Sequence, residues 1–188
     1  MTRHIERQID HLKEKILRVG TLVEEAISRS ISAVINRDVA LAQKVLSSDE
    51  AIDRMEVEVE EECLKILALY QPVAADLRFV VAVLKINNDL ERMGDLANNI
   101  AKRVAQLEHA GPIELPPEIR TMATQAEEMV RECLTAVVER DTVLARRIRE
   151  QDDLVDTDRQ RVRKRILGSI REHPENVETP ADPTAPAP

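Results

Sequence analysis

At 188 residues, with 43% hydrophobic and 33% charged side chains, the chain can form one or two small domains with a sizeable core. Its 27 basic and 35 acidic residues leave a net charge of −8, which argues against general nucleic-acid binding. Aromatics are almost absent (one Phe, one Tyr, no Trp), so the core must come from Ala, Val, Leu and Ile on amphipathic helices.

Met1 leads straight into a charged amphipathic segment with no signal-peptide pattern. From Arg3 to Asn36, apolar or small residues fall at Ile5, Ile9, Leu12, Ile16, Val19, Val23, Ala26, Ser30 and Ala33. This four-three alternation predicts a helix about 50 Å long, packed in a bundle at shallow angles. Asp38 is a suitable N-cap for a second helix to about Tyr70, with Val45, Ile52, Val59, Cys63 and Ile66 inward. Gln71-Pro72 breaks it, and a third helix runs to about Glu108. The longest apolar run, Phe79 to Leu84, stops at Lys85, too short to span a membrane.

Stepping by four and three, the third helix is expected to turn Leu77, Val81 and Leu84 inward, followed by Asn88, Glu91 and Asp95. A second row, Ile86, Leu90, Met93, Ala97, Ile100 and Val104, is also apolar, so this helix should meet two neighbours, or one neighbour and a dimer mate. Gly111-Pro112 and Pro116-Pro117 mark a linker. Beyond it, an ungapped shift of 103 residues lays AVVERDTVLA (136–145) on AVINRDVALA (33–42), Asp152 on Asp49, Asp156 on Asp53 and Val162 on Val59. Two copies of one helical unit follow. The expected organisation is a three-helix unit over 1–110, a linker over 111–117, a two-helix unit over 118–173, and a disordered Pro/Ala-rich tail over 174–188. Cys63 and Cys133 stand in no metal-finger spacing and on apolar helical faces, which suits buried free thiols in a reducing compartment.

The candidate chemistry lies in the acids. Glu91, Asp95 and Asn99 are spaced i, i+4, i+8 along one row of the third helix, and Asp49 and Asp53 form an i, i+4 pair on the second. Antiparallel neighbours would bring four carboxylates around one space, where protons or metal ions must compensate the charge. All-oxygen ligation suits hard cations such as Mg²⁺, Mn²⁺ or Ca²⁺, and oxygen-rich iron sites. The plainer alternative is that these are solvated acids on long charged helices. Catalysis finds little support. No His follows a Glu by three residues, as di-metal carboxylate bundles require, no nucleophile sits beside a base, and four glycines build no phosphate loop.

The run QPVAADLRFVVAVLKINNDLERMGDLANNIA (71–101) closely resembles the signature of the PhoU family of phosphate-transport accessory and regulatory proteins, and the doubled unit with acidic pairs is also that family's pattern. The resemblance covers roughly residues 3 to 172. It implies an all-α up-down bundle of tandem three-helix units, a cytoplasmic homodimer without catalytic activity, and a role in lowering phosphate uptake and repressing the phosphate-starvation response. The implied partners are the ATPase subunit of the phosphate ABC transporter and a sensor histidine kinase, with membrane contact only through them. It also implies metal on Glu/Asp-x-x-x-Asp motifs, which here fall on Asp49 and Asp53, Glu91 and Asp95, and Asp152 and Asp156. The cofactor expected is a divalent or trivalent ion: Mg, Mn, Fe, Zn or Ca. Where a full-length member continues past Arg171 with a second DLER-like helix, this sequence has a proline-rich tail, so Asp152 and Asp156 are expected to lack an opposing pair. A degenerate copy, or a helical interaction protein without metal, is the alternative reading.

The two-helix second unit is expected to leave Ile148, Val155, Val162, Ile166 and Ile170 uncovered. In the repeat alignment, acidic Glu56, Glu58, Glu60, Glu61 and Glu62 match basic Arg159, Arg161, Arg163, Lys164 and Arg165, a charge reversal that would let the second helix of one copy lie against the fifth of another.

Overall fold

The structure, a computed structural model, describes residues 2–107 and 116–172. They form five helices: α1 (Thr2–Asn36), α2 (Val39–Tyr70), α3 (Ala74–Leu107), α4 (Glu118–Glu139) and α5 (Thr142–Glu172). The segments 1, 108–115 and 173–188, with most of the expected linker and the expected tail, lie outside the described residues. None of the described helices is long and apolar enough to cross a membrane.

α1, α2 and α3 pack pairwise into one bundle. The α1 seam is the one its spacing predicts: Leu12, Ile16, Val19, Val23 and Ala33 are at 0% exposure, and Ser30 joins them by donating its hydroxyl to the Ile27 carbonyl at 2.8 Å. Each of the Leu, Ile and Val side chains among them contributes roughly 1.5–3 kcal/mol on burial. On α2, Val45, Ile52, Val59, Cys63 and Ile66 face inward as expected.

The phase of α3 differs from the expectation. Leu77 and Val81 are 40% and 39% exposed, and Asn88 is exposed. The buried row is Val80, Val83, Asn87, Leu90, Gly94, Ala97, Ala101 and Val104. Glycine and asparagine sit in this seam for separate reasons. A Cβ on Gly94 would stand 3.3 Å from two Ile52 carbons, so α2 and α3 approach closely there. Asn87 donates its side-chain NH₂ to the Glu56 carbonyl at 2.9 Å.

The sequence repeat extends to individual hydrogen bonds. Arg37 and Arg140 both take left-handed backbone (φ 51° and 57°) and end their helices. The Asp38 amide then bonds the Ala33 carbonyl at 2.9 Å, and the Asp141 amide bonds the Ala136 carbonyl at 2.8 Å. Asp38 caps α2 by accepting from the Leu41 amide at 2.8 Å, and Asp141 caps α5 by accepting from the Leu144 amide at 3.0 Å.

α4 packs on α1, and α5 packs on α4. The α1–α4 contact centres on Gly20, where an added Cβ would lie 1.9 Å from Leu134 Cδ1, so the leucine occupies the space a side chain would need. Arg131 of α4 bonds Glu24 of α1 through Nε and Nη2 at 3.1 and 2.9 Å. Farther along, Arg140 pairs with Asp76 at 2.9 Å and lies over the Phe79 ring at 5.5 Å.

Two expectations for this unit are corrected. Ile148 and Val162 are buried (4% and 8%), because α4 covers them, whereas Ile166 and Ile170 remain 40% exposed. Cys133 is exposed, because its side of α4 borders an open cleft rather than a neighbouring helix, whereas Cys63 is fully buried.

Candidate functional site

The acids of α2 and α3 lie along one edge of the bundle. Asn87 bonds Glu56 and Gly94 meets Ile52, so antiparallel packing sets Asp49 and Asp53 alongside Glu91 and Asp95. Their mutual influence is visible in their acidities. The Asp53 carboxyl is held above its ordinary pKa by partial burial, then by the charges of Asp49, Asp95 and Glu50. Glu91 is raised by burial and by Asp95, Asp53 and Asp49, with Arg92 opposing. Glu56 is raised by burial, Glu60, Glu91 and Asp53. Four carboxylates from two helices therefore share one electrostatic neighbourhood.

Two further groups belong to it. Asn87, 1% exposed, directs its NH₂ to Glu56 (carbonyl at 2.9 Å, Oε1 at 3.4 Å), while its own Oδ1 is buried without a hydrogen-bond partner. Glu56 and Asn87 escape a reading of acidic i, i+4 pairs because one pairs across helices and the other occupies an apolar position; Asn87 lies one turn before Glu91, a spacing that would have revealed it. Asn99 stands exposed one turn beyond Asp95, and the buried amide there is its neighbour Asn98.

The second motif is arranged differently. Asp152 and Asp156 are exposed on α5, and Asp156 is ion-paired with Arg159 at 3.2 Å. Asp152 borders a cleft of about 1110 Å³ between α3, α4 and α5, whose walls include Phe79, Ala82, Ile86, Cys133 and Ile148. Although Cys133 as a residue is exposed, the cleft wall partly desolvates its thiol and raises its pKa, with Glu132 and Asp152 adding to the effect.

Among the described residues, no three His, Cys, Asp or Glu side chains are gathered so that they could hold a metal ion. The donor chemistry at the α2–α3 edge nonetheless fits a hard cation: carboxylate oxygens at i, i+4 on adjacent helices, with the unpaired amide oxygen of Asn87 nearby.

Comparison with known proteins gives a consistent picture. A family model described as the PhoU domain matches residues 16–104 and 119–182. The phosphate-specific transport system accessory protein PhoU homolog of Aquifex aeolicus is 36% identical over 171 residues, spanning 91% of this chain and 77% of that protein. The PhoU homolog of Pseudomonas putida is 35% identical over 184 residues, spanning 94% and 71%. The crystal structure of PhoU from Pseudomonas aeruginosa superposes with a TM-score of 0.84 at 34% identity, covering 91% of this chain and 82% of that one. The regulatory protein PhoU from Streptococcus pneumoniae gives 0.82 at 29%, covering 89% and 79%.

Proposed function

This chain belongs to the PhoU family, and on that premise we propose that it is an accessory protein of a phosphate-specific transport system that restrains phosphate uptake and represses the starvation response. It acts without catalysis, from the cytoplasmic side, by binding the transporter's ATPase subunit and the sensor histidine kinase. The observation that carries this reading is the family match over both helical units. Long helices that present charged edges and exposed aliphatic residues suit a protein that works by contact.

The α2–α3 edge is proposed as a cation-binding element. A divalent or trivalent ion there would be held by Asp49, Asp53, Glu91 and Asp95, and its charge would relieve the repulsion that raises Asp53 and Glu91. The exposed pair Asp152 and Asp156, with Asn99, is assigned a weaker, accessory part.

Deleting the gene is expected to raise phosphate accumulation and starvation-gene expression in phosphate-rich medium, and the intact gene should reverse both. Unchanged uptake and expression in a strain with no other copy would remove the regulatory reading. For the cation, wild-type protein should melt higher in millimolar Mn²⁺ or Mg²⁺ than after chelation, by mass action. Glu91→Ala with Asp95→Ala should lose that increment. A wild-type melting temperature indifferent to both metals would leave the acids as a solvated edge.

A further inference from the structure

We propose that the C-terminal half of α5 is a docking face for an anionic lipid bilayer. Over residues 159–171 this helix carries six cations (Arg159, Arg161, Arg163, Lys164, Arg165 and Arg171) and no acid, in a chain whose net charge is −8. At 3.6 residues per turn, Arg159, Ile170, Arg163, Leu167, Arg171 and Lys164 lie together on a strip about 140° wide, and all six are exposed. Asp158 and Glu172 fall on the opposite side of the helix. The acids that share the line of the strip, Asp152 and Asp156, lie N-terminal to it, and Asp156 is ion-paired with Arg159 at 3.2 Å.

The fold itself does not require this charge. The repeat of the same helix, α2, carries acids at the five matching positions Glu56, Glu58, Glu60, Glu61 and Glu62. Cations favour a helix C-terminus only within its last turn, where α5 has Arg171 alone. Arg161 pairs with Asp158 and Arg165 with Glu118, but Arg163, Lys164 and Arg171 have no ion-pair partner among the described residues. The interleaved aliphatics decide the ligand. Leu167 and Ile170 stand 45% and 40% exposed between the cations. From there they enter the boundary between headgroups and acyl chains, while the charged heads stay at the phosphates. A water-soluble polyanion offers no such place for them. Because α5 is already held on α4, with Ile148 and Val162 buried, it docks as a preformed helix and forgoes the cost of ordering. Each cation strengthens partitioning to an anionic surface about fivefold. This contact would be the chain's own, alongside any made through protein partners, and the regulatory reading stands without it.

Vesicle co-sedimentation of the full chain tests this, comparing equal parts phosphatidylglycerol and phosphatidylcholine with phosphatidylcholine alone. The wild type should pellet with the mixed vesicles only, and added salt should release it. Arg163→Gln with Lys164→Gln should weaken partitioning about twentyfold. Leu167→Ser with Ile170→Ser should weaken it at least about fivefold, both with unchanged helicity by circular dichroism. Lys102→Gln with Arg103→Gln, the same change of charge on exposed positions of α3, should leave it unaltered. A wild type that stays in the supernatant, or pellets equally with both vesicles, overturns the proposal. So does a loss as large from the α3 variant as from the α5 charge variant. A wild type that binds a single-stranded oligodeoxynucleotide as tightly as the mixed vesicles, with no effect of Leu167→Ser and Ile170→Ser, also overturns it and assigns the strip to a soluble polyanion.

Discussion

The two helical units share a turn down to its individual carbonyls, yet they bury their side chains differently. In α1–α3, Leu12, Ile16, Val19, Val59, Ile66, Val80 and Val83 are all at 0% exposure. In α4–α5, the best-buried aliphatics, Leu134, Ile148, Val130 and Val162, retain 3–8%. Each helix of the first unit has two neighbours in that unit, whereas α5 packs mainly on α4. Turn, cap and helix are thus local properties of the repeated sequence, but a dry interior needs a third wall.

Thiol chemistry should break the comparison most widely. Cys63 is fully buried and its pKa is pushed up to about 12, whereas Cys133 is exposed. A disulfide reagent should label Cys133 in the native protein and reach Cys63 at least about 10³-fold more slowly, since opening the first unit costs several kcal/mol. Equal labelling rates, followed by mass spectrometry of the two peptides, would show the units to be equally open. Next in size, Ile16→Ala should cost about 3–5 kcal/mol in urea denaturation and Ile148→Ala about 2, because the thinner unit can collapse around the smaller side chain. Gly20→Ala should cost about 1–3 kcal/mol by driving a Cβ into Leu134. Leu134→Ala in the same chain should remove the added penalty, visible as non-additivity in the double-mutant cycle.

Smaller effects come from charge. Asp53 and Glu91 have native pKa values raised above those of the unfolded chain, so the native state holds their protons more tightly. Their penalty is absent below the ordinary carboxylate range, appears as pH rises from about 4 through the raised values, and is complete at neutral pH. Asp53→Asn with Glu91→Gln should therefore stabilise the protein at pH 7 in low-salt, chelated buffer, by a few tenths of a kcal/mol given their exposure, and the gain should vanish near pH 4. Smallest of all, Arg131→Ala removes the two-nitrogen contact to Glu24, and the resulting loss in melting temperature should shrink as salt is added.

Much of the fold is legible in the residues, and the failures share a cause. The α1 seam can be read because every position in it is apolar or small, and the Asp38 cap because aspartate before an apolar run has few other uses there. On α3 the first expected row is off by one position, whereas the second supplies Leu90, Ala97 and Val104 to the buried seam. The true seam is interrupted by Asn87 and Gly94, which enter it through a hydrogen bond to Glu56 and a close approach to Ile52. Both reasons belong to α2, so no periodicity within α3 can supply them. The acids of the candidate site are legible as i, i+4 pairs but their phase is not, since Asp95 is exposed and Glu91 half-buried rather than inward. Glu56 is not legible, because its bond to Asn87 crosses from one helix to another, and Asn87 is marked only by standing one turn before Glu91.

α1 contacts α2, α3 and α4, so every helix that covers it lies downstream in the chain. During synthesis its apolar stripe leaves the ribosome before α2 and α3, and the first bundle cannot close until α3 ends at Leu107, 71 residues after Asn36. At about 5–20 residues per second, that wait lasts roughly 4–14 s. For those seconds the nascent α1 presents its apolar stripe without the helices that cover it, and the length of that wait is set by translation of α3.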